Sequence, residues 1–259
     1  MTLRHYAVLA GAVILFCLLL FGFDKIPPKQ KALEKSGSLR VESTGLQNLL
    51  NDAMPELDPE QKSVVEAINL DIQKSTEDSA RVSLLKLLSG SWYRYGYPSI
   101  SGVYAEEVAI LTKDEASWSL AGTTFSLCVQ NSENQKVKDF CSRRAVQAFE
   151  NAISIDPEKI EPRINLALCY VDNPEKDNPM KGILMLRDLN EKYPENIQVL
   201  TQLARLALRT NQTDKAIERL EKILELDPKN QSAICMIADV YKSAGKQKLY
   251  EEFVKKCIR

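Results

Sequence analysis

The sequence predicts an all-α protein, and three observations support this prediction. Apolar residues recur at mixed steps of three and four along most of the chain, which places them on one face of a helix. No stretch alternates between apolar and polar residues over the length of a strand, and only 10 of the 259 residues are glycine. Pro157, Pro194 and Pro228 follow one another at intervals of 37 and 34 residues, which indicates an internal repeat.

Composition excludes several classes of function. The 34 Lys and Arg residues nearly balance the 35 Asp and Glu residues, so no overall positive field favours nucleic acid. The single histidine, His5, precedes an apolar N-terminal run, so the rest of the chain has no imidazole for a catalytic triad or a zinc site. Neighbouring carboxylates such as Glu106 and Glu107 point about 100° apart on a helix. We predict no enzymatic activity, catalytic residue, metal or cofactor.

A transmembrane anchor is predicted over residues 1–24. The run from Tyr6 to Phe23 contains 18 residues without a charge, and as a helix it spans about 27 Å, close to the hydrocarbon thickness of a bilayer. The alternatives are a buried hairpin and a cleaved signal peptide, but a signal peptide has a shorter apolar region that ends in small residues. Residues 25–44 are predicted to be a linker, because Pro27 and Pro28 end the anchor helix and the residues that follow them are polar.

Charge leaves the orientation of this anchor open. Only Arg4 precedes the apolar run, whereas five basic residues follow it between residues 25 and 40. The positive-inside rule would place the C-terminal part in the cytoplasm, but long domains can cross the membrane regardless of flanking charge.

The cysteines outside the predicted anchor show no CxxC spacing and mostly occupy apolar helical positions. We therefore expect small buried side chains and no disulfide framework. These cysteines are Cys128, Cys141, Cys169, Cys235 and Cys257.

Residues 45–78 are predicted to be an N-terminal helical segment with helices near 45–53 and 59–75. Asp58 can cap the second of these helices, and Pro59 suits its first turn.

The clearest repeat unit covers residues 197–230. It places small residues where two antiparallel helices cross, larger apolar residues along the seam between them, and a proline after the second helix. These positions are Leu200, Leu203, Ala204, Ala207, Ala216, Leu220, Ile223 and Pro228. The pattern recurs over 160–196. It recurs again over 115–159, as Trp118-x2-Ala121-Gly122-x2-Phe125 and Ala145-x3-Phe149-x2-Ala152, with an insertion near 130–140.

These residues resemble the tetratricopeptide repeat (TPR) signature of W-x2-L-G-x2-Y, then A-x3-F-x2-A and a terminal proline. The resemblance implies an α-solenoid of stacked helix pairs in a right-handed superhelix. Residues 79–114 resemble a degenerate leading repeat, in which Ser91 replaces the expected aromatic residue. Residues 231–259 resemble a half-repeat with a capping helix. An anchor followed by TPRs is similar to bacterial inner-membrane accessory proteins.

The resemblance also implies that the first helix of each repeat lines a groove that binds protein segments. Arg205 and Arg209 lie one turn apart, and they are either a receptor for a carboxylate or a solvated helix face. The candidate groove residues are Asn165, Leu168, Gln202, Arg205, Arg209, Asp239 and Lys242, preceded by Ser119, Leu120 and Thr123 in the 115–159 repeat.

Two further features each leave two interpretations open. Trp92, Tyr93 and Tyr95 are candidate interface aromatics because Trp and Tyr are frequent in binding hot spots, but such a run also packs helix ends against loops. The polar insertion near 130–140 is either a longer connection between helices or a docking loop.

The sequence thus predicts a single-pass protein of the bacterial inner membrane that binds a protein or peptide partner through a TPR groove. Its expected role is a scaffold or adaptor in a membrane or envelope assembly, without nucleic acid. One alternative is a structural protein that self-associates into a homo-oligomer. Another is a regulatory subunit that holds an enzyme at the membrane.

Overall fold

The computed structural model describes residues 45–257, and this part of the chain is built from helices, as predicted. None of the described helices is long and apolar enough to cross a membrane. The predicted anchor, 1–24, and the predicted linker, 25–44, lie outside the described residues. The helices are α1 (Leu46–Ala53), α2 (Pro59–Lys74), α3 (Asp78–Arg94), α4 (Pro98–Thr112), α5 (Glu115–Asn131), α6 (Gln135–Ile155), α7 (Ile160–Asp172), α8 (Lys181–Lys192), α9 (Ile197–Arg209), α10 (Thr213–Leu226), α11 (Gln231–Ser243) and α12 (Gln247–Val254), with a 3-10 helix at Met54–Glu56.

The chain divides into two compact units, Met1–Asp52 and Ala53–Arg259. In the first unit, the Gly45 carbonyl accepts hydrogen bonds from the amides of Asn48 and Leu49 at the start of α1. The second unit contains α2 to α12 and all of the candidate site described below.

The start of α2 confirms the predicted cap. The Asp58 side chain accepts a hydrogen bond from the Gln61 amide at 2.8 Å, and the Gln61 side chain accepts one from the Asp58 amide at 3.2 Å. This reciprocal pair is a capping box, and Pro59 occupies the first turn, where its missing N–H has no intrahelical partner to lose.

From α3 onward, helices pack in consecutive pairs, α3 with α4 through α11 with α12, and each pair packs against the next. Short connections of a few residues join most pairs, and this arrangement is typical of helical hairpins. The segments 115–159, 160–196 and 197–230 each contain one such pair, and 79–114 contains the first pair except for Asp78, where α3 begins.

Three glycines allow neighbouring helices to approach closely, Gly122 and Gly182 within a pair and Gly102 between two successive pairs. A Cβ added to Gly122 would lie 2.8 Å from the Phe149 ring, and one added to Gly102 would lie 2.6 Å from the Phe125 ring. A Cβ on Gly182 would overlap the backbone carbonyl oxygen of Ala167, which cannot rotate away as a side chain can. These residues occupy small-residue positions of the repeat because no larger side chain fits there.

The insertion near 130–140 extends two helices. Helix α5 continues to Asn131 and α6 begins at Gln135, so only Ser132–Asn134 lie between them. The interpretation as a docking loop is therefore wrong, because the added residues continue the helical pairing.

A disulfide between Cys128 and Cys141 joins α5 to α6, and a second joins Cys235 of α11 to Cys257, which follows α12. The expectation of no disulfide framework was wrong because helix pairing brings together cysteines that are 13 and 22 residues apart. A disulfide that closes a loop of about 15 residues typically contributes about 3 kcal/mol to stability. Cys169 is buried with a free thiol, as the sequence led us to expect.

An ion pair connects α4 to the α5–α6 hairpin. The Arg144 Nε lies 3.1 Å from the Glu106 Oε2, and the guanidinium lies over the rings of Phe125 and Phe140 at 5.9 and 5.6 Å. Burial raises the pKa of Glu106, while the Arg144 charge lowers it. The aromatic contacts shield the pair, and a planar guanidinium suits this stacked position better than an ammonium would.

The Gly182→Ala substitution should lower the free energy of unfolding by about 1–3 kcal/mol, because the added methyl meets the backbone of α7. Gly90→Ala is the matched control, since a Cβ at that helical position meets nothing within 4 Å. The control should raise stability by up to about 1 kcal/mol. Urea unfolding of the full chain in mild detergent, followed by circular dichroism, measures both. Equal stabilisation by the two substitutions would contradict the proposed steric constraint.

Candidate partner-binding groove

A cavity of about 700 Å³ lies between α3 and α5, with α4 at its base, and we call it the apolar groove. Its lining residues are Lys86, Ser89, Gly90, Tyr93, Ser101, Ala105, Val108, Asp114, Ala116, Ser117, Leu120, Thr123, Thr124 and Leu127. This volume lies within the range of sites that bind drug-sized ligands or several side chains of a peptide.

Helix α5 presents a continuous face to the groove. Ala116, Leu120, Thr123 and Leu127 are spaced by three or four residues, so their side chains follow one another along the helix. Asp114 fixes the start of this helix, because its carboxylate accepts hydrogen bonds from the amide and the hydroxyl of Ser117, each at 2.8 Å. Leu120 is 57% exposed, a large fraction for an apolar side chain on a helix that packs against three others.

The serine and threonine hydroxyls around the groove are engaged within the protein. Thr123 and Thr124 donate to the carbonyl oxygens of Ser119 and Leu120, each at 2.8 Å. Ser89 donates to the Ser101 carbonyl oxygen at 2.9 Å. These hydroxyls are turned toward backbone carbonyl oxygens of their own or the facing helix, so apolar atoms dominate the surface that a partner would meet.

Helix α3 forms the opposite wall. A Cβ added to Gly90 would meet nothing within 4 Å, so the glycine leaves open space there. Tyr93 is half exposed at this wall, and its ring supplies both an apolar face and a hydroxyl.

A second cavity of about 170 Å³ continues the line of the groove, since Thr123 and Leu127 border both. The candidate groove residues Asn165 and Leu168 line this second cavity, together with Ser126, Cys169 and others from α5, α6 and α7. Both candidates are half-buried.

Asp172 connects the first helices of three successive pairs. Its carboxylate lies 3.5 Å from the Gln130 amide nitrogen of α5 and 3.5 Å from the Arg209 Nη1 of α9. The Arg209 side chain is 62% exposed, so this ion pair contributes at most about 1 kcal/mol. Arg209 already has an acidic neighbour, which weakens the interpretation of Arg205 and Arg209 as a ready carboxylate receptor.

The remaining candidates lie on α9 and α11, outside the lining of both cavities. Gln202 is half-buried, whereas Arg205, Asp239 and Lys242 are exposed. The Lys242 ammonium lies 5.6 Å from the centre of the Tyr250 ring.

The three candidate aromatics have different positions. Trp92 is fully buried, and its ring meets Tyr97 edge-on at 5.6 Å between ring centres, so its assignment as an interface residue is corrected. It lies on the same face of α3 as the buried Leu85 and Leu88, and helical spacing directs that face to the core. Tyr93 lines the groove, and Tyr95 is half-buried at the C-terminal end of α3.

Sequence reasoning identified the α5 wall through Leu120 and Thr123 but missed most of the α3 wall and the α4 base. The 34-residue repeat period was the feature of the sequence that could have identified the α3 wall. The lining residues Lys86, Ser89, Gly90 and Tyr93 precede the lining residues Leu120, Thr123, Thr124 and Leu127 by 34 residues each.

Cys169, which lines the second cavity, has an unreactive environment. Burial raises the pKa of its thiol to about 11, and the Ser126 hydroxyl oxygen lies 3.5 Å from its sulfur. It therefore acts as a small buried side chain there.

Comparison with known proteins shows the type of repeat. Residues 181–245 match the tetratricopeptide repeat family. The chain is 30% identical over 103 residues to human interferon-induced protein with tetratricopeptide repeats 2, covering 39% of this chain and 22% of that protein. It is 28% identical over 180 residues to a Drosophila melanogaster BBSome complex member, the BBS4 homolog, covering 67% of this chain and 35% of that protein. The chain thus spans about a fifth to a third of the length of these relatives.

Solved structures show the same fold. A tetratricopeptide repeat protein from Parabacteroides merdae matches with a TM-score of 0.52 and 14% identity, covering 82% of this chain and 78% of that one. A thermophilic TPR protein from Thermus thermophilus matches with a TM-score of 0.51 and 16% identity, covering 76% and 98%. The described helices therefore have the fold of tetratricopeptide repeat proteins. The repeat that residues 181–245 match is typically used for protein interaction.

The Cys169 environment predicts an unusual pH dependence of alkylation. Because the thiol pKa is about 11, the thiolate fraction should rise about tenfold per pH unit from pH 7 to 9.5 without levelling off. Iodoacetamide labelling of the folded, non-reduced Cys17→Ser chain, quantified by mass spectrometry, measures this rate. An unfolded control in urea should level off near pH 9. The same levelling in the folded protein would show that Cys169 is not buried as described.

Proposed function

We propose that this protein is a non-enzymatic scaffold that binds an apolar segment of a partner protein in the apolar groove. We further propose that 79–114, 115–159, 160–196 and 197–230 are four repeats and that 231–259 is a half-repeat with a capping helix. The tetratricopeptide match over 181–245 supports the type of repeat, and the pairing of helices supports the division.

The observation that supports the proposal most directly is the open apolar groove between α3 and α5. Leu120 and Tyr93 are each about half exposed or more, and the neighbouring hydroxyls are satisfied internally. A partner that offers apolar side chains would remove this surface from water without leaving the serine and threonine hydroxyls unpaired. A strongly charged segment would lose hydration there, and among the lining residues only Lys86 and Asp114 carry charges that could compensate it.

The candidate residues beyond the groove supply a polar path for the rest of the partner segment. Asn165 and Leu168 continue the groove through the second cavity, and Gln202, Arg205, Arg209, Asp239 and Lys242 follow on later helices. Because this path carries charges of both signs, it should orient the partner segment and discriminate between partners, and it does not favour a ligand of one charge.

We also propose that residues 1–24 anchor the scaffold in a membrane, at the bacterial inner membrane by the resemblance noted above. The uncharged run of 18 residues supports this proposal. The Drosophila relative is named as a member of a complex, which supports a role in an assembly.

A peptide-display selection on the full chain tests the proposed function. Selected peptides should be rich in apolar or aromatic residues, and Leu120→Glu should weaken their binding at least tenfold because it places a charge inside the apolar groove. Ile110→Glu is the matched control, since Ile110 of α4 is 53% exposed and does not line the groove. Fluorescence anisotropy with labelled peptides measures the affinities. Equal weakening by both substitutions would refute the groove as the binding site.

The competing function is self-association through the same groove. Under that alternative, sedimentation of the full chain in detergent would show a dimer that Leu120→Glu converts to a monomer, while Ile110→Glu leaves it unchanged. Our proposal expects the same oligomeric state for all three proteins. If Leu120→Glu abolished a dimer that Ile110→Glu retained, the groove would bind a second copy of this chain and not a partner segment.

A further inference from the structure

We propose that residues 45–257 work in an oxidising compartment outside the cytosol, where the bonds Cys128–Cys141 and Cys235–Cys257 are both formed. This inference goes beyond the scaffold function and does not depend on it. It rests on two disulfides in separate parts of the fold, each of which joins elements that also contact each other through aromatic side chains.

The first bond lies in the lengthened α5–α6 hairpin. Cys128 and Cys141 bracket the insertion near 130–140, and their Cα atoms are 6.1 Å apart. The register of this hairpin is also fixed by Gly122 against Phe149 and by the edge-on contact of Phe125 and Phe140 at 6.1 Å. These contacts align the two helices around the cysteines, and the Cα separation lies within the range that a disulfide spans.

The second bond retains the last helix. Helix α12 has eight residues, and none of them is buried. Helices this short are marginal in water, so contacts with neighbours must hold them in place. The Cys235–Cys257 bond and the contact of Tyr241 with Phe253, 5.6 Å between ring centres, attach the segment to α11.

The described cysteines form two groups, one buried free thiol and four disulfide-bonded residues. Cys169 is buried on α7 with a free thiol, as expected of a cysteine used only for packing. The other four described cysteines are all paired. Cytosolic thiol systems keep such cysteines reduced, whereas stable structural disulfides are typical of the periplasm, the secretory pathway and the cell exterior.

Bond formation requires an electron acceptor. Each pair of thiols loses two protons and two electrons as the S–S bond forms, and the electrons reduce the disulfide of a thiol–disulfide oxidoreductase to a dithiol. Such an oxidant belongs to the compartments named above. The inference therefore opposes the orientation that the basic residues between 25 and 40 would favour, and it confines the partner to proteins outside the cytosol.

Thiol trapping in cells tests the inference on the full chain. Acid quenching is followed by N-ethylmaleimide under denaturing conditions, then by reduction and labelling with a polyethylene glycol maleimide. The chain has six cysteines, of which Cys17 and Cys169 should be blocked in the first step. The expected result is a gel shift of four added polymers.

Paired variants check the connectivity. Cys128→Ser/Cys141→Ser and Cys235→Ser/Cys257→Ser should each shift by two polymers, and Cys169→Ser should still shift by four. A shift smaller than four for the unaltered chain overturns the inference. So does a reduced shift in Cys169→Ser, because it would show a different pairing. The unaltered chain decides the inference, because no substitution affects its folding, and loss of partner binding does not change the number of disulfide-bonded cysteines that trapping counts.

Discussion

The close crossing of paired helices is the constraint on which the rest of this structure depends. At Gly122 the ring of Phe149 lies directly against the backbone of α5, and at Gly182 the backbones of α7 and α8 are themselves in contact. Such crossings direct one face of each first helix to its partner. The opposite face of α5, which carries Leu120, Thr123 and Leu127, is left to form the groove. The same residues that permit tight pairing therefore determine which side chains a partner can reach.

The apolar character of the groove follows from how the helices satisfy their polar groups. Several of its residues are Ser or Thr, which would suggest a polar surface from composition alone. Their hydroxyls donate to carbonyl oxygens one turn earlier or on the facing helix, so they do not need a ligand. A buried charge near the groove also has its partner within the protein, because Arg144 forms an ion pair with the buried carboxylate of Glu106 between α4 and α6. A buried charge without this partner would destabilise the hairpins that form the groove.

Local signals predicted much of the fold, whereas features that depend on register were missed. Asp58 and Pro59 marked the start of α2, and the small residues marked the helix crossings, because each acts within a few residues of its position. The burial of Trp92 depends on which face of α3 meets the core, and a dense aromatic run does not reveal this. The α3 wall of the groove was visible only through the 34-residue period. The disulfides depend on the pairing of whole helices, so no short motif of cysteine spacing in the sequence predicts them.

The length of the α5–α6 hairpin explains why a covalent bond is useful there. These helices have 17 and 21 residues, whereas the next pair, α7 and α8, has 13 and 12. In a repeat array each unit is stabilised mainly by its nearest neighbours, so the added turns of a longer hairpin have fewer residues of the following pair to pack against. The Cys128–Cys141 bond, the Phe125–Phe140 contact and the Arg144 guanidinium lie in this part of the hairpin and bind its two helices to each other. Because α5 also supplies the central wall of the groove, local reinforcement of this hairpin maintains the surface that a partner would meet.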